Sequence, residues 1–247
     1  MADNSWRFKQ RQMVAEALER GLRRVLLLDT ETTGLDPEDG AVCIEAACIR
    51  FDLRHAQVLD AYSSLIHHPA GNPIEDVNHI PSEMVRRAPK AEAVWRRVAK
   101  MIRGSDLIVA HRVEFDYQFV PDELRTTRPW CCSKFDIEWP HGKNGDDLLH
   151  LALANGVGVV YAHRAMSDTE VLARVFARTM ERYDILEILR RALRPKTLVV
   201  SLEPFQRKDH VKSLGFAFDS KTKDWYKWMP IEDVGKLSIK YKVVESG

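Results

Sequence analysis

Apolar and polar positions follow one another in this chain in a way that predicts an α/β body. Residues 25–28 are a continuous apolar run, as a buried strand requires, and the run ends abruptly on Asp29-Thr30-Glu31. Residues 41–51 and 57–66 read as two further strands joined by a hairpin through 52–55, so the first three strands form an antiparallel meander. Helical spacing follows over 92–102, then a strand over 107–110, a helix after Phe115 and another over 146–154. Ser167-Asp168-Thr169-Glu170 fits a capping box, which starts a helix at Asp168 with Ser167 as its cap. A helix over 185–193 closes the body, and the order strand–strand–strand–helix–strand–helix–helix is that of an α/β fold. Ahead of it, residues 6–20 carry Val14 and Leu18, with Leu22 just beyond, at the spacing of an amphipathic helix.

Charge divides the chain more sharply than hydrophobicity does. Residues 1–194 hold 22 Arg and 5 Lys against 29 acids, net −2, whereas residues 195–247 hold 9 Lys and 1 Arg against 7 acids, net +3. Seven of the 21 aromatic residues also fall in that last stretch, and Pro195 breaks the helix before it. The division predicts an N-terminal helical extension (1–23), a main domain (24–194) and a small α+β domain (195–247). In the last, strands are expected at 198–202, 216–218, 225–228 and 238–244 with a helix at 208–214.

The 247 residues are 45% hydrophobic and 30% charged, the balance of an ordinary globular protein, which excludes disordered and fibrous classes. No apolar stretch approaches the ~20 residues of a membrane span, and residues 1–7 lack a signal-peptide core, so a cytoplasmic location without a membrane partner is expected. Cys43, Cys48, Cys131 and Cys132 have neither disulfide-framework nor zinc spacing and read as small buried hydrophobes.

Candidate chemistry lies in three segments. Asp29 and Glu31, two apart on a strand, point to one face, where two carboxylates repel unless hard cations with oxygen ligands neutralise them. Taken alone, the pair equally describes a solvated strand end. The second apolar strand runs into His111 and on to Phe115-Asp116 at a helix start, where Asp116 could also serve the helix dipole, Phe115 the core, and His111 as a satisfied polar residue. The third segment, His163-Arg164-Ala165-Met166-Ser167-Asp168, adds a fourth carboxylate and an imidazole.

Together these segments resemble the 3′-5′ exonucleases of the DEDDh group in the DnaQ-like, ribonuclease H-like superfamily, a group that includes the proofreading subunit of bacterial DNA polymerase III and exonuclease X. The resemblance spans about residues 24–180. Leu28-Asp29-Thr30-Glu31-Thr32-Thr33-Gly34-Leu35 matches the first motif, Ala110-His111 with Phe115-Asp116 the second, and His163-Arg164-Ala165 with Asp168 the third. The sister group with Tyr in place of His would need Tyr where Arg164 stands. Two departures stand out: His111-Arg112-Val113 replaces the usual His-Asn-Ala, and Asn78, with His79 beside it, occupies a position that is often His.

The resemblance implies a mixed five-stranded sheet flanked by helices. It also implies two divalent ions, Mg²⁺ or Mn²⁺, held by Asp29, Glu31, Asp116 and Asp168, with Asp29 bridging both, and His163 as general base. The product would be nucleoside 5′-monophosphates from the 3′ end of a nucleic acid, DNA favoured over RNA and single-stranded or frayed ends over duplex. Thr33, Gly34, Leu35, Asn78, His79, His111 and Phe115 would contact substrate: Thr33 and Gly34 through backbone N–H groups, Leu35 as a wedge and Phe115 by stacking. An RNA-trimming enzyme of the same fold, or an idle nucleic-acid-binding module, are the alternatives. A polymerase, repair or replication partner and the oligomeric state are not legible in the chain.

The tail resembles a small bacterial domain often attached to nucleic-acid enzymes, through Lys208, Lys212, Leu214-Gly215, Phe218-Asp219 and Lys223 with Trp225-Tyr226. Its lysines interleaved with Phe216, Phe218, Trp225, Tyr226 and Trp228 suit single-strand binding, or equally a lysine face over an aromatic core.

Overall fold

The computed structural model describes residues 6–159, 164–219 and 222–244, and His163 lies outside them. The chain divides into two compact units, Gln12–Ala192 and a smaller one of Leu193–Gly247 with Met1–Arg11. The stretch 1–23, expected as one extension, is thus shared between the units: its helix is interrupted at Gln10 into α1 (Trp6–Lys9) and α2 (Arg11–Arg20).

The larger unit continues with β1 (Arg24–Thr32), β2 (Cys43–Asp52), β3 (Gln57–Leu65), the short helices α3 (Glu75–Asn78) and α4 (Ser82–Arg86), α5 (Ala91–Arg103) and β4 (Leu107–Ala110). Then come α6 (Val113–Phe119), α7 (Asp122–Arg125), β5 (Trp130–Cys132), α8 (Leu148–Ala154), α9 (Ala165–Met180) and α10 (Ile185–Ala192). The five strands form one mixed sheet in the order β3-β2-β1-β4-β5. β1, β2 and β3 are antiparallel neighbours, and β1, β4 and β5 run parallel. The expected ribonuclease H-like architecture is therefore present. Four strands were legible as patterns; β5 is only three residues, all buried, and too short to show a period.

Helices cover both faces, which is why residues 25–28 are apolar without alternation and wholly buried. α5 covers one face through Val94, Val98, Met101 and Ile102, helically spaced; Val94 packs on Ala46, and the Met101 sulfur lies 3.3 Å from Cys48 Sγ. α9 covers the other, where the Phe176 ring sits 6.0 Å from Phe51 and 5.2 Å from Trp139. Burying a side chain of that size contributes about 1.5–3 kcal/mol in transfer terms. Opposed residues of an antiparallel pair share a face. Asp29 opposes Ala47 and Glu31 opposes Glu45, in phase with Phe51, so both acids lie on the α9 side.

α9 begins at Ala165, three residues before the expected start, and Arg164 rather than Ser167 is its cap residue, with no side-chain cap of its own. The reason is tertiary: the Glu45 carboxylate accepts from the Ala165 N–H at 3.2 Å, doing from β2 what the local Ser would have done. Among the described residues no helix is long and apolar enough to cross a membrane.

The smaller unit holds β6 (Lys196–Ser201), α11 (Lys208–Ser213), β7 (Ala217–Phe218), β8 (Trp225–Pro230) and β9 (Tyr241–Val244), an antiparallel sheet of order β7-β8-β6-β9. Val199, Val211, Phe216, Met229 and Ile239 form its core, with Trp225 and Tyr241 packed against it. The Arg7 guanidinium lies 4.5 Å from the Trp6 ring and 5.5 Å from that of Trp228. Lys227 Nζ donates to the Leu214 carbonyl at 2.7 Å. Phe216 lies in the core and Trp225 is half-buried against it, while Phe205 and Phe218 are exposed.

Candidate active site

Because β1 and β4 run parallel, their C-terminal ends emerge at one edge of the sheet, and that edge collects the acids. β1 does not stop at Leu28: it continues through Thr32, so Asp29 and Glu31 sit on a strand end still paired with β2 beyond the last β4 partner at Leu27. One carboxylate oxygen each of Asp29, Glu31 and Asp168 lies within 4.8 Å of the others. Asp168 comes from the first turn of α9. Asp116, in the first turn of α6, is only 2% exposed, and its Oδ1 accepts from the Thr30 N–H at 3.0 Å and the Thr30 hydroxyl at 2.9 Å. It stands outside the tight trio yet close enough for its charge to act on Asp29.

So many acids in one place depress one another's ionisation. Burial, then the charges of Asp116, Asp168, Glu31 and Glu45, push the Asp29 carboxyl well above the ordinary range. Burial and then Asp168 and Glu45 push Glu31 up to about 8, against a smaller opposite pull from Arg164. Burial lifts Asp116 to about 7 despite its two bonds from Thr30. A carboxyl whose folded-state pKa is raised binds more protons folded than unfolded, so each of these groups lowers stability as pH climbs from the ordinary carboxylate range to its raised value. Metal-free protein is therefore expected to be most resistant to heat near pH 5 and to lose melting temperature progressively up to about pH 8, where Glu31 is ionised. Added Mg²⁺ should restore more at pH 8 than at pH 5, and calorimetric melts at both values, with and without metal, check it.

One acid that sequence reasoning missed is Glu45, buried on β2 directly opposite Glu31. Its two oxygens accept from Arg164 Nε at 3.1 Å and Arg164 Nη2 at 2.8 Å, in addition to Ala165 N–H. An isolated Glu inside the apolar run 42–49 was the available signal. Thr30, which holds Asp116, was likewise hidden between the two acids of the first motif.

The turn after Glu31 departs in part from what the resemblance implied. A register shift between Glu31 and Thr32 turns the chain out of the ladder. The Thr33 N–H donates to Val42 O at 2.9 Å and its hydroxyl accepts from Val42 N–H at 2.9 Å, so Thr33 secures the turn and has no free backbone donor to offer a nucleotide. Gly34 faces Ala41 so closely that an added Cβ would sit 3.2 Å from it, and Leu35 stands 78% exposed at the tip. Asn78 is buried, not presented to solvent: its Nδ2 donates to Thr32 O at 3.1 Å, while its Oδ1 accepts from Asn72 Nδ2 at 2.7 Å. It braces the turn from beneath. His79 is exposed in the left-handed conformation (φ 56°) that ends α3.

On the β4 side, Phe115 is half-buried against Phe119, ring centroids 5.0 Å apart. His111 has both ring nitrogens engaged, Nδ1 with Ser133 Oγ at 2.9 Å and Nε2 with Asp146 O at 3.2 Å. A carbonyl only accepts, so Nε2 carries the proton and Nδ1 receives the Ser133 hydroxyl. Burial, and then Lys134, push His111 down to about 4, a neutral ring that ties Ser133 and Asp146 to the end of β4.

A sheet of this order with acids gathered at the shared end of its parallel strands defines a nuclease of the ribonuclease H-like class. The chain belongs to the exonuclease family, whose model, described as an exonuclease, matches residues 26–176. Within it the chain is 30% identical over 159 residues to the DNA polymerase III subunit epsilon of Treponema pallidum (strain Nichols), covering 60% of this chain and 72% of that protein. It is also 30% identical over 183 residues to the 3′-5′ exonuclease DinG of Bacillus subtilis (strain 168), covering 68% of this chain and 19% of DinG. The fold is similar to that of exonuclease X in complex with 5′ overhanging duplex DNA, with a TM-score of 0.53 at 21% identity over 68% of this chain and 99% of that one. The nuclease domain of 3′hExo bound to rAMP gives 0.54 at 14% identity, over 65% and 92%.

Proposed function

We propose that this protein is a divalent-metal-dependent 3′-5′ exonuclease that releases nucleoside 5′-monophosphates from the 3′ ends of DNA, preferring single-stranded or frayed ends. The observation that carries the proposal is the convergence of Asp29, Glu31 and Asp168 within 4.8 Å, beside the buried Asp116. A cluster made only of carboxylates, in which burial and neighbouring charges push Asp29 and Glu31 up, has the donor chemistry of a site for hard cations such as Mg²⁺ or Mn²⁺. Asp29, Glu31 and Asp168 would hold one ion, and Asp29 with Asp116 a second. When bound, such ions act as Lewis acids on the phosphate oxygens whose charge grows during hydrolysis.

The chain's own groups do the rest. Asp116 is held in place by Thr30, so its free oxygen is presented in one orientation. Leu35 is exposed where it can part the last two bases, and the half-buried Phe115 supplies a ring for stacking. His163, which lies outside the described residues, takes the proton from the attacking water. Stacking and backbone contacts carry little base information, so the enzyme should accept any sequence.

Labelled oligonucleotides decide the matter. With Mg²⁺ and purified protein, a 5′-labelled single strand should shorten in a ladder from its 3′ end, and a 3′-label should leave as the mononucleotide in the first turnover. Blunt duplex DNA should be degraded more slowly. Faster loss of RNA than of DNA would move the substrate to RNA trimming, and release only from the 5′ end, or none, would refute the proposal.

A further inference from the structure

Glu45 and Arg164 form a pair with no place in the proposed chemistry, yet they sit at its centre. Glu45 lies across the β1–β2 ladder from Glu31, its side chain 3% exposed, and it accepts three hydrogen bonds, from Arg164 Nε, Arg164 Nη2 and Ala165 N–H. A carboxylate so engaged is not a further metal ligand. A buried acid facing two others is costly unless a cation answers it, and the Arg164 fork does so with two parallel bonds, the geometry that Lys cannot reproduce. Arg164 itself is 41% exposed, so its length is spent on reaching Glu45 and not on filling the core. Both bonded residues belong to the very start of α9, and Asp168 follows one turn later. One contact therefore joins the strand pair that carries Asp29 and Glu31 to the helix that carries Asp168.

We infer that the Glu45–Arg164 clamp is a positioning device: it sets the N-terminus of α9 against β2 so that Asp168 meets Asp29 and Glu31 at the distance a shared cation needs. This rests on the carboxylate trio being a cation seat. Glu45 and Arg164 are positioning residues; neither reaches the reacting atoms. Supports behind metal ligands commonly change metal affinity by about 10–100-fold when removed. A pair that merely held the helix down would change melting temperature and leave the affinity of the folded protein alone.

The test is Mn²⁺ binding without substrate, followed by calorimetry or by loss of the free-ion electron paramagnetic resonance signal, on the full chain and on Glu45→Gln and Arg164→Lys. In Glu45→Gln the amide must point a donor at another donor, and Mn²⁺ affinity should fall by about 10–100-fold. Arg164→Lys keeps the charge, loses the fork, and sits at a half-exposed site where folding is secure; its affinity should fall in the same direction, by at least about threefold. Activity in both should recover to within about threefold of the parent at saturating metal, since no reacting group is lost. Parental Mn²⁺ affinity in folded Arg164→Lys together with Glu45→Gln, whatever their melting temperatures, overturns the clamp. A parent that binds no Mn²⁺ at all overturns the cation seat itself, and the clamp's role with it.

Discussion

Replacing Asp29 by Asn should extinguish hydrolysis, lowering kcat/KM by at least about 10³-fold, while making the metal-free protein harder to melt. The two halves of that expectation come from one fact. Asp29 is buried and surrounded by Asp116, Asp168, Glu31 and Glu45, so its ionised form is strongly disfavoured. An amide of the same shape keeps the pairing with β2 and relieves that repulsion at neutral pH. In a chain of this size each kcal/mol gained raises the melting temperature by about 2–4 °C, so a rise of several degrees is the expected scale. On the proposed two-ion reading, the same amide could not share its oxygens between cations as a carboxylate does, and its loss as a ligand should remove the electrostatic stabilisation of the transition state. Asp116→Asn should behave alike in activity, but with a smaller gain in stability, because Thr30 already stabilises the Asp116 charge with two bonds. Metal-free calorimetry alongside turnover assays separates the outcomes: an Asp29→Asn protein that melts lower than its parent, or that still turns over at saturating Mg²⁺, contradicts the four-carboxylate site.

The opposite signs of those effects explain how much of this protein is readable in its chain. Acids that raise one another's pKa have no structural use, so their recurrence at strand ends and helix starts is visible in one dimension as Asp29, Glu31, Asp116 and Asp168. The strands that carry them are equally visible, because burial on both faces forces the apolar runs 25–28 and 107–110. Features that depend on a distant partner are not visible. Ser167 and Glu170 have the letters of a capping box, but the start of α9 is decided by Glu45, 120 residues before Ala165. Asn78 and His111 match or adjoin family positions that face substrate, yet here the first braces Thr32 and the second ties Ser133 to Asp146. Polar residues at such positions have one vocabulary for binding a ligand and for binding the backbone, and only the fold says which is in use.

The second large effect is expected at His163. Its replacement by Ala should lower kcat by about 10²–10⁴-fold, the usual worth of a positioned proton acceptor, with Mn²⁺ affinity and KM changed far less. The asymmetry follows from charge: an imidazole that is neutral when it acts adds nothing to the negative field that draws cations, so its loss leaves the carboxylates as they were. Protonation of the same ring should appear as an acid limb in the parent's kcat, in the range where an ordinary imidazole titrates, ~6.5. The variant should keep only a residual rate without that limb, rising with hydroxide. The carboxylates complicate the same pH range, since Glu31 rises to about 8 and Asp116 to about 7 before a cation engages them. Saturating metal removes that ambiguity, because a bound cation favours the ionised carboxylates and draws their titration below the imidazole's. Profiles of kcat at saturating Mg²⁺ for parent and His163→Ala therefore isolate the imidazole, and an acid limb that survives unchanged in the variant, with near-parental kcat, would assign proton transfer to another group.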